Sequence, residues 1–569
     1  MAKRGGLTTK GWIVSILSIV VISVSFIAAT TDRRNFEIVK NLDIFYSLFR
    51  ELDSYYVDET EPEKLIQTGI DAMLESLDPY TTFIPEDEMD DFRFMTTGEY
   101  AGIGALITKR GEWVVISEPY EGMPAQEAGL KAGDRIIEID GVSMRKKETS
   151  EVSEKLKGAA GTEVKVLVNR TGLAKDLGIT ITRRVIQINP VPYYGMVNAN
   201  TGLIILNNFT QNCTAEVEKA YNELKKSGNL QNLILDLRGN PGGLMDESVK
   251  IANLFLPRGS EIVSTRGKVS QWDKTYRAPR EPLDTIMPMA VLINRGSASA
   301  SEIVAGALQD HDRAIIIGQR SFGKGLVQTT RALAYNSSLK VTTAKYYIPS
   351  GRCIQAVDYA KRNEDGSVGL IPDSLMKEFS TKGGRVVLDG GGISPDITIE
   401  QEKFSNITIA LMLQQTIFDF ATLYASETPS IATPETFRVS DELYDNFTSY
   451  VESLDDFKYE SESIDLFKKL KTAAQKEEYY ELDKEAFDRL ELVLTPKVDR
   501  SLKHAKDEVS EMLAMEILRR YYYQKGAIIY NLQSDNEINL AKETLSDKTK
   551  YNGMLNGTVL THAGDRRYK

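Results

Sequence analysis

The chain is poor in the residue types on which several common kinds of active site depend. Its 569 residues include two cysteines, Cys213 and Cys353, and three histidines, His311, His504 and His562. Two cysteines cannot form a disulfide framework or a thiolate zinc site, although they could pair with each other in an exported protein. Three histidines leave little material for a metal cluster or a Ser-His-Asp triad. We therefore expect no metal and no cofactor.

An excess of positive charge is also lacking, because the formal net charge is −12. A duplex-binding protein usually presents a basic face, so this balance argues against nucleic acid as a partner. The apolar content of 42% and the charged content of 26% are ordinary for globular protein. The length is too great for one hydrophobic core and predicts roughly three or four globular domains.

One long uncharged run lies near the N-terminus, from residue 11 to residue 31, behind Lys3, Arg4 and Lys10. At ~1.5 Å per helical residue this run can cross a hydrocarbon core of ~30 Å. The basic flank places the N-terminus inside and the rest of the chain outside. The alternative is a cleaved signal peptide with its cleavage site at residues 28–30.

Helical patterns follow this run in residues 32–97. Apolar residues recur every three or four positions between residues 35 and 56, and a second helix is predicted over residues 61–76. The first pattern is too short to decide between packing on the chain's own domain and pairing in a homodimer or higher oligomer. Its apolar members are Ile38, Leu42, Phe45, Phe49, Leu52 and Tyr56.

Residues 98–183 contain a glycine loop, a short helix at residues 124–130 and a Gly-Asp turn before a strand at residues 133–141. Together, and in this order, these motifs resemble a PDZ domain. The resemblance implies a loop whose backbone N–H groups bind the terminal carboxylate of a peptide that adds as a strand. Glycine in that loop lets the backbone approach its ligand. The loop residues are Gly102, Ile103, Gly104 and Ala105.

From residue 184 to about residue 400, short apolar strands alternate with helices. This order predicts a largely parallel sheet with helices on both faces, so the expected fold class is multidomain α/β. Reactive groups in such sheets lie at strand-to-helix turns near the carboxyl ends of the strands. The expected segments are 1–31 (anchor or signal peptide), 32–97 (helical), 98–183 (PDZ), 184–400 (core) and 401–569 (helical accessory region).

One stretch of the core, residues 294–328, brings together serines and a lysine. Ser297, Ser299 and Ser301 precede an apolar helix, and Lys324 lies between two glycines after the next strand. A lysine can activate a serine only if its pKa is lowered, which burial would do. A phosphate-binding loop is disfavoured, because Gly325 stands where such a loop needs a hydroxyl.

The start of the apolar helix can also serve catalysis. Ser299 and Glu302 have the spacing of a capping box, which places Ser299 at the helix N-terminus and offers the Ala300 N–H to an oxyanion. A second donor could come from Gly242, in the glycine loop that ends another core strand.

The motifs at residues 235–243, 296–310 and 318–328 resemble the carboxyl-terminal processing proteases, or tail-specific proteases, over roughly residues 36–400. The resemblance implies a crotonase-like core and a Ser-Lys dyad. It selects Ser299 as the nucleophile and Lys324 as the base, with Gln328 orienting the lysine. It also matches Gly242 and Ala300 to the oxyanion donors, and Asp310 to a supporting residue.

The implied activity is that of a serine endopeptidase that cuts envelope proteins presented by their exposed C-termini. The expected location is a bacterial inner membrane, with most of the chain on the periplasmic side, or the periplasm itself after signal cleavage. Two alternatives stay open, a PDZ scaffold with a degenerate core and a thioester-acting acyl-transfer enzyme. Two departures from the family pattern are Cys353, in place of a common serine, and a long segment at residues 359–391.

Overall fold

The structure, a computed structural model, describes residues 34–363, 367–400, 403–459 and 461–559. The predicted anchor at residues 11–31 and the cleavage site at residues 28–30 lie outside these residues. Within the described chain no single helix is long and apolar enough to span a membrane. One pair, Asn406–Leu413 and Thr416–Glu427, has the required length and composition but is bent by 64°.

The chain divides into two units, residues 1–83 and residues 84–569. The described part of the first unit contains helices α1 (residues 34–55) and α2 (Pro62–Glu75), close to the predicted helices. Pro62 stands at the start of α2, where its missing N–H costs nothing. Most apolar side chains of the α1 pattern are exposed. Strand β1 (Thr82–Ile84) spans the point of division.

The second unit begins with a short 3₁₀ helix and α3 (Met89–Thr97), followed by the PDZ-like segment. An antiparallel sheet of order β3-β4-β5-β7-β8 forms its body, with β6 beside β5, while β2 pairs with β9. Strand β3 is at the edge of this sheet, so one side of it is open to a further strand. The elements are β2 (Glu99–Gly102), β3 (Ala105–Arg110), β4 (Trp113–Pro119), α4 (Pro124–Glu127), β5 (Arg135–Ile139), β6 (Val142–Ser143), α5 (Thr149–Leu156), β7 (Glu163–Asn169), β8 (Leu177–Thr182) and β9 (Arg184–Gln187).

The core is built on a six-stranded sheet of order β10-β11-β12-β15-β16-β23. All neighbouring pairs are parallel except β10 with β11. The expected α/β architecture is therefore confirmed. Its strands and helices are β10 (Tyr193–Met196), β11 (Thr201–Ile205), α6 (Cys213–Lys226), β12 (Asn232–Asp236), α7 (Met245–Asn253), β15 (Met289–Ile293), α8 (Ala300–Asp310), β16 (Ile315–Gly318) and β23 (Ile397–Thr398).

A second, antiparallel sheet and two small hairpins complete the core. In that sheet β18 pairs with β17 and β13, and β13 pairs with β14. The hairpins are β19 with β20 and β21 with β22. These strands are β13 (Glu261–Gly267), β14 (Lys274–Arg277), β17 (Leu326–Ala332), β18 (Ser338–Tyr347), β19 (Val357–Arg362), β20 (Val368–Leu370), β21 (Glu378–Ser380) and β22 (Val386–Leu388).

The C-terminal region is helical, as predicted. Five of its first seven helices, α9, α10, α11, α14 and α15, share a hydrophobic core of their own. The helices are α9 (Asn406–Leu413), α10 (Thr416–Glu427), α11 (Asp441–Glu452), α12 (Glu462–Lys476), α13 (Lys484–Leu494), α14 (Val498–His504), α15 (Lys506–Asn531), α16 (Asn536–Ser546) and α17 (Lys548–Leu555).

The last two helices, α16 and α17, pack on the core sheet. Side chains on each strand alternate between its two faces, so Leu233 joins the cluster that contains helices α6 to α8, while Ile234 faces the opposite cluster. That second cluster also contains Ile538 and Leu545 of α16. The sheet is therefore covered on one face by residues that the sequence placed in a separate accessory region.

The PDZ-like segment rests on α10 and α15. Arg110, at the end of β3, forms an ion pair with Asp419 of α10. Tyr523 breaks the helical geometry of α15, with φ 54° and ψ −162°, and the next residue, Gln524, donates its N–H to Glu118 of β4 at 2.8 Å. The kink thus releases a backbone donor that binds the PDZ-like segment.

Candidate active site

The residues singled out from the sequence lie in loops that leave the carboxyl ends of three neighbouring strands. Residues 237–243 follow β12, residues 294–299 follow β15 and residues 319–325 follow β16. The strands are parallel and in register, with Leu235 beside Val291 and Val291 beside Ile316. The three loops therefore lie side by side at one edge of the sheet, where α/β enzymes place their active sites.

Ser299 occupies a sharp turn between β15 and α8. Its backbone has φ 55° and ψ −111°, which is unusual for a residue with a Cβ atom. Such backbone strain persists only where the surrounding structure holds it in place. Here the preceding residue, Ala298, donates its N–H to the Asn240 carbonyl at 3.0 Å. The turn leaves the Ser299 side chain partly exposed at the start of the helix.

Glu302 connects the serine turn to the lysine loop. One carboxylate oxygen accepts the Ser299 N–H at 2.7 Å and the Lys324 N–H at 2.9 Å. The other accepts the Ser321 hydroxyl at 2.6 Å and the Gly323 N–H at 2.7 Å. A fully buried carboxylate with four donors is well satisfied, and it holds the backbones of Ser299 and Lys324 to one side chain.

Burial raises the pKa of Glu302 to about 7, while its hydrogen bonds act in the opposite direction. Desolvation disfavours the charged form, and donors to the carboxylate favour it. The protonation state of this side chain therefore changes near neutral pH.

The lysine loop is also held by Gln355 and Tyr346. The Gly325 N–H donates to Gln355 Oε1 at 2.7 Å. The Tyr346 hydroxyl lies 2.5 Å from the Lys324 carbonyl oxygen and 3.2 Å from that of Ser299. Tyr346 is thus a second link between the serine turn and the lysine loop, and Lys324 itself is half-buried.

Glycine is required in both flanking loops by close approach. A Cβ on Gly242, where φ is 101°, would lie 2.9 Å from the Ala300 nitrogen and 2.9 Å from the Ser299 Cβ. A Cβ on Gly323 would lie 2.4 Å from the Ala356 Cβ. All three contacts are shorter than non-bonded atoms can tolerate, so only glycine allows these loops to close around Ser299 and Lys324.

The two expected oxyanion donors face one another. Ala300 is the first residue of α8, and its nitrogen lies against Gly242. The Gly242 N–H donates to Asn240 Oδ1 at 2.9 Å. An oxyanion at this position would have to compete with the Asn240 side chain for that N–H.

Gln328 and Asp310 have clear partners of their own. Gln328, on β17, donates from its side-chain nitrogen to the Thr342 hydroxyl at 3.2 Å. Asp310, at the end of α8, pairs with the buried Arg352 at 2.9 Å and accepts the Ser350 N–H at 2.8 Å. Asp310 therefore ties the end of the helix to the turn at residues 349–352.

The other two serines of the cluster make structural hydrogen bonds. Ser297 donates to the Leu237 carbonyl at 2.8 Å, and Ser301 donates to the Asn240 carbonyl at 2.9 Å. Both bonds fasten the serine turn to the glycine loop after β12.

In the PDZ-like loop, Gly104 lies between Ile103 and Ala105 with φ 75°, a conformation that favours glycine. Burial raises the pKa of Tyr100, and this is opposed by hydrogen bonds from the backbone of Gly104 and Ala105 to its hydroxyl. The Tyr100 ring also lies against Gly102, where a Cβ would be 2.8 Å from a ring carbon. The tyrosine hydroxyl thus lies close to the backbone N–H groups of Gly104 and Ala105.

Several residues that build the site were not identified from the sequence. Glu302 was recognised only as a helix-capping residue, and its spacing from Ser299 was the signal available. Tyr346 and Gln355 had no signal of this kind, because they reach the site from distant segments of the chain. Asn240 lies in the motif at residues 235–243, but its spacing gives no indication of its bond to Gly242.

Comparison with known families agrees with this architecture. Residues 200–365 match Peptidase family S41, and residues 115–170 match the PDZ domain. Residues 407–545 match the C-terminal helical domain of probable PDZ-proteases.

Several similar proteins are named as proteases. A carboxy-terminal-processing protease of Bartonella bacilliformis is 38% identical over 342 residues, which cover 60% of this chain and 76% of that protein. A probable CtpA-like serine protease of Staphylococcus aureus is 32% identical over 402 residues, covering 70% and 73%. The solved photosystem II D1 C-terminal processing protease is 31% identical, covers 63% of this chain and 92% of that one, and has a TM-score of 0.34.

The core, the PDZ unit and the helical C-terminal region each match a family model, and the Bartonella and Staphylococcus proteins match over 76% and 73% of their own length. The chain belongs to peptidase family S41, the carboxy-terminal-processing serine proteases.

Proposed function

We propose that this protease cuts polypeptides with a Ser299–Lys324 dyad. The observation that carries the proposal is the double link between the two residues, through the Glu302 carboxylate and the Tyr346 hydroxyl. In the proposed reaction Ser299 Oγ attacks the peptide carbonyl and its proton passes to Lys324 Nζ. The carbon–nitrogen bond then breaks, and Lys324 gives the proton to the leaving amine.

The developing oxyanion is stabilised by the backbone N–H groups of Ala300 and Gly242, after Gly242 releases Asn240. Water then attacks the acyl-enzyme, again with Lys324 as base, and releases the acid. Gln328 is proposed to position the lysine from β17.

Ser299→Ala and Lys324→Ala test the dyad with an unfolded protein that ends in apolar residues. Each variant should lose cleavage by at least about 1000-fold while keeping the unfolding temperature of the native enzyme. Lys340→Ala is the matched control, because burial lowers the pKa of Lys340, which lies on β18 and outside the proposed dyad. This control should keep its activity. If the native enzyme binds the substrate without cleaving it, the protein is a scaffold. If it neither binds nor cleaves the substrate, the thioester-acting acyl-transfer enzyme is the alternative that stays open.

We further propose that substrates are envelope proteins captured by their C-termini in the PDZ loop at residues 102–105. Residues 11–31 would hold the enzyme at the bacterial inner membrane with the bulk of the chain in the periplasm, or would be cleaved to leave it soluble there. Membrane fractionation combined with N-terminal sequencing of the mature protein distinguishes these two outcomes. The exposed apolar side chains of α1 support pairing of two or more copies, which sedimentation of the full chain would detect.

A further inference from the structure

A cleft of about 1260 Å³ lies beside the lysine loop, at the carboxyl ends of β15, β16 and β23. Arg295 follows β15, Phe322 belongs to the loop after β16, and Ile399 follows β23, and all three line the cleft. The strands lie in the order β12, β15, β16, β23. The loops after β12, β15 and β16 hold Gly242, Ser299 and Lys324 in that order, and the cleft lies beyond the lysine loop, on the side of β23.

The outer walls of the cleft come from two segments that the proposed chemistry does not use. Leu370 lies in the long segment between residues 359 and 391, and Phe404 precedes α9 of the C-terminal region. The insertion noted in the sequence thus builds a wall next to the active site, and the helical region closes the cleft from the other side.

The lining combines apolar surface with positive charge. Phe322, Leu370 and Phe404 are large apolar side chains that are 54%, 73% and 44% exposed. Such a concentration of exposed apolar surface in one concave region is typical of a binding site.

Among the residues that the structure describes, three cations, Arg295, Arg320 and Lys403, line the same cleft, against one carboxylate, Glu400. This local excess of positive charge stands out in a chain whose net charge is −12. It would favour a ligand that carries carboxylates.

The direction of the substrate follows from the roles of the dyad. The carbonyl oxygen must lie near Ala300 and Gly242, whereas the leaving nitrogen must lie near Lys324, which protonates it. The polypeptide on the C-terminal side of the cut therefore departs past the lysine loop, and the cleft is what lies beyond that loop.

We propose that this cleft binds the part of the substrate on the C-terminal side of the cut bond, and that it selects apolar residues accompanied by a carboxylate. The carboxylate can be an Asp or Glu side chain or the terminal carboxylate of a short tail. The proposal rests on the Ser299–Lys324 chemistry, since that chemistry sets the direction of the chain.

The test uses the full-length enzyme and an unfolded substrate with one mapped cut site and a constant C-terminus. Three series of this substrate differ in the residues that follow the cut: an acidic series with Asp and Glu, a neutral series with Asn and Gln, and a basic series with Lys. The wild type should cleave the acidic series about five- to tenfold better in kcat/KM than the Lys series, with the difference in KM. In the double variant Arg295→Glu with Lys403→Glu this preference should disappear or invert, while kcat on the Asn and Gln series stays unchanged.

The matched control is Arg258→Glu with Lys268→Glu, which changes the net charge equally at exposed positions outside the cleft. It should keep the preference of the wild type. A wild type without any preference, or a cleft variant that keeps it, would overturn the proposal.

Calorimetry separates the source of the carboxylate and also isolates the proposal from the dyad. Peptides that correspond to the released tail, as free acid and as amide, are titrated into Ser299→Ala with and without the cleft substitutions. The PDZ contribution is common to both proteins. If charge reversal reduces the ratio of the affinity of the free acid to that of the amide, the cleft binds the terminal carboxylate. If charge reversal weakens the affinity only for tails that contain Asp or Glu, the cleft binds those side chains. Equal affinities of all tails for both proteins contradict the cleft proposal even if cleavage depends on Ser299, whereas Ser299-independent cleavage contradicts the dyad alone.

Discussion

The backbone N–H of Gly242 donates a hydrogen bond of 2.9 Å to the side-chain oxygen of Asn240. Asn240 is fully buried, and its side-chain nitrogen donates to the Leu206 carbonyl at 2.7 Å. In the resting enzyme the asparagine side chain thus both donates and accepts a hydrogen bond. An oxyanion that takes the Gly242 N–H must displace a neutral acceptor, which is a modest cost compared with displacing a charged one.

Asn240→Asp should therefore reduce kcat by about 100-fold with little change in KM. A carboxylate would bind the Gly242 N–H more tightly than the amide does and would also repel the oxyanion. Steady-state kinetics on an unfolded substrate measures the effect.

Asn253→Asp provides the control for the loss of a buried amide. Asn253 is also fully buried, donates to the Arg280 carbonyl at 2.7 Å and accepts the Arg280 N–H at 2.9 Å, but it lies at the end of α7. Its substitution should lower the unfolding temperature in a similar way and leave kcat within about threefold. Equal kcat losses in both variants would assign the effect to folding instead of the oxyanion.

Glu302 should make the stability of the core depend on pH. Burial raises its pKa from 4.5 to about 7, so the folded protein binds this proton more tightly than the unfolded chain. The contribution to stability is then fully present below pH 4.5 and is lost as the pH rises to about 7. Relative to Glu302→Gln, the unfolding free energy of the wild type should fall by on the order of 3 kcal/mol across this window.

Thermal or denaturant unfolding at several pH values measures this difference. Glu223→Gln, at a carboxylate that pairs with Lys226 on the surface of α6, is the control and should give a nearly flat difference. A wild-type stability that rises relative to Glu302→Gln over the same window would contradict the assignment of the raised pKa.

Tyr100→Phe should strengthen the binding of peptide C-termini to the PDZ domain. The backbone of Gly104 and Ala105 opposes the rise in the Tyr100 pKa, so the hydroxyl lies close to the N–H groups that a peptide carboxylate would use. Removal of the hydroxyl opens this position in the free protein and lowers the cost of binding by about 1 kcal/mol, or roughly fivefold in Kd. Calorimetry with a peptide and with its C-terminal amide measures the change. An unchanged Kd, or equal gains for acid and amide, would show that the hydroxyl does not compete with the carboxylate.

Asp310→Ala should destabilise the core without altering the chemistry of folded molecules. Asp310 pairs with Arg352, and both side chains are buried. Removal of the carboxylate leaves a buried guanidinium without this partner, at a cost of about 3–5 kcal/mol in unfolding free energy. Glu223→Ala, at an exposed pair, should cost less than about 1 kcal/mol. A loss of kcat in Asp310→Ala that persists after correction for the folded fraction would assign Asp310 a part in catalysis.

The parts of the fold that were predictable are those coded by local spacing. The apolar runs at residues 233–237 and 290–293 are buried strands, and Ser299 with Glu302 three positions later begins a helix. Strand-to-helix order then places the serine and lysine loops at one sheet edge.

The remainder depends on tertiary contacts that no spacing reports. Glu302 was predictable as a cap for Ser299, but its bonds to Ser321, Gly323 and Lys324 arise only once β16 lies beside β15. Likewise, the apolar pattern of α16 indicates a buried face without indicating which surface buries it. Tyr100 carries no pattern at all, because its contact with Gly104 is set by the path of the loop.

The packing of α16 and α17 on the core sheet has a consequence for the order of events during synthesis. The strands that precede the Ser299 and Lys324 loops are made well before residues 536–555, which cover the second face of the sheet. Until those helices emerge, the apolar side chains of that face have no cover and the sheet is not stable. We therefore expect a nascent chain to contain its serine and lysine before its core sheet is covered, and to become an active protease only after residues 536–555 have been synthesised.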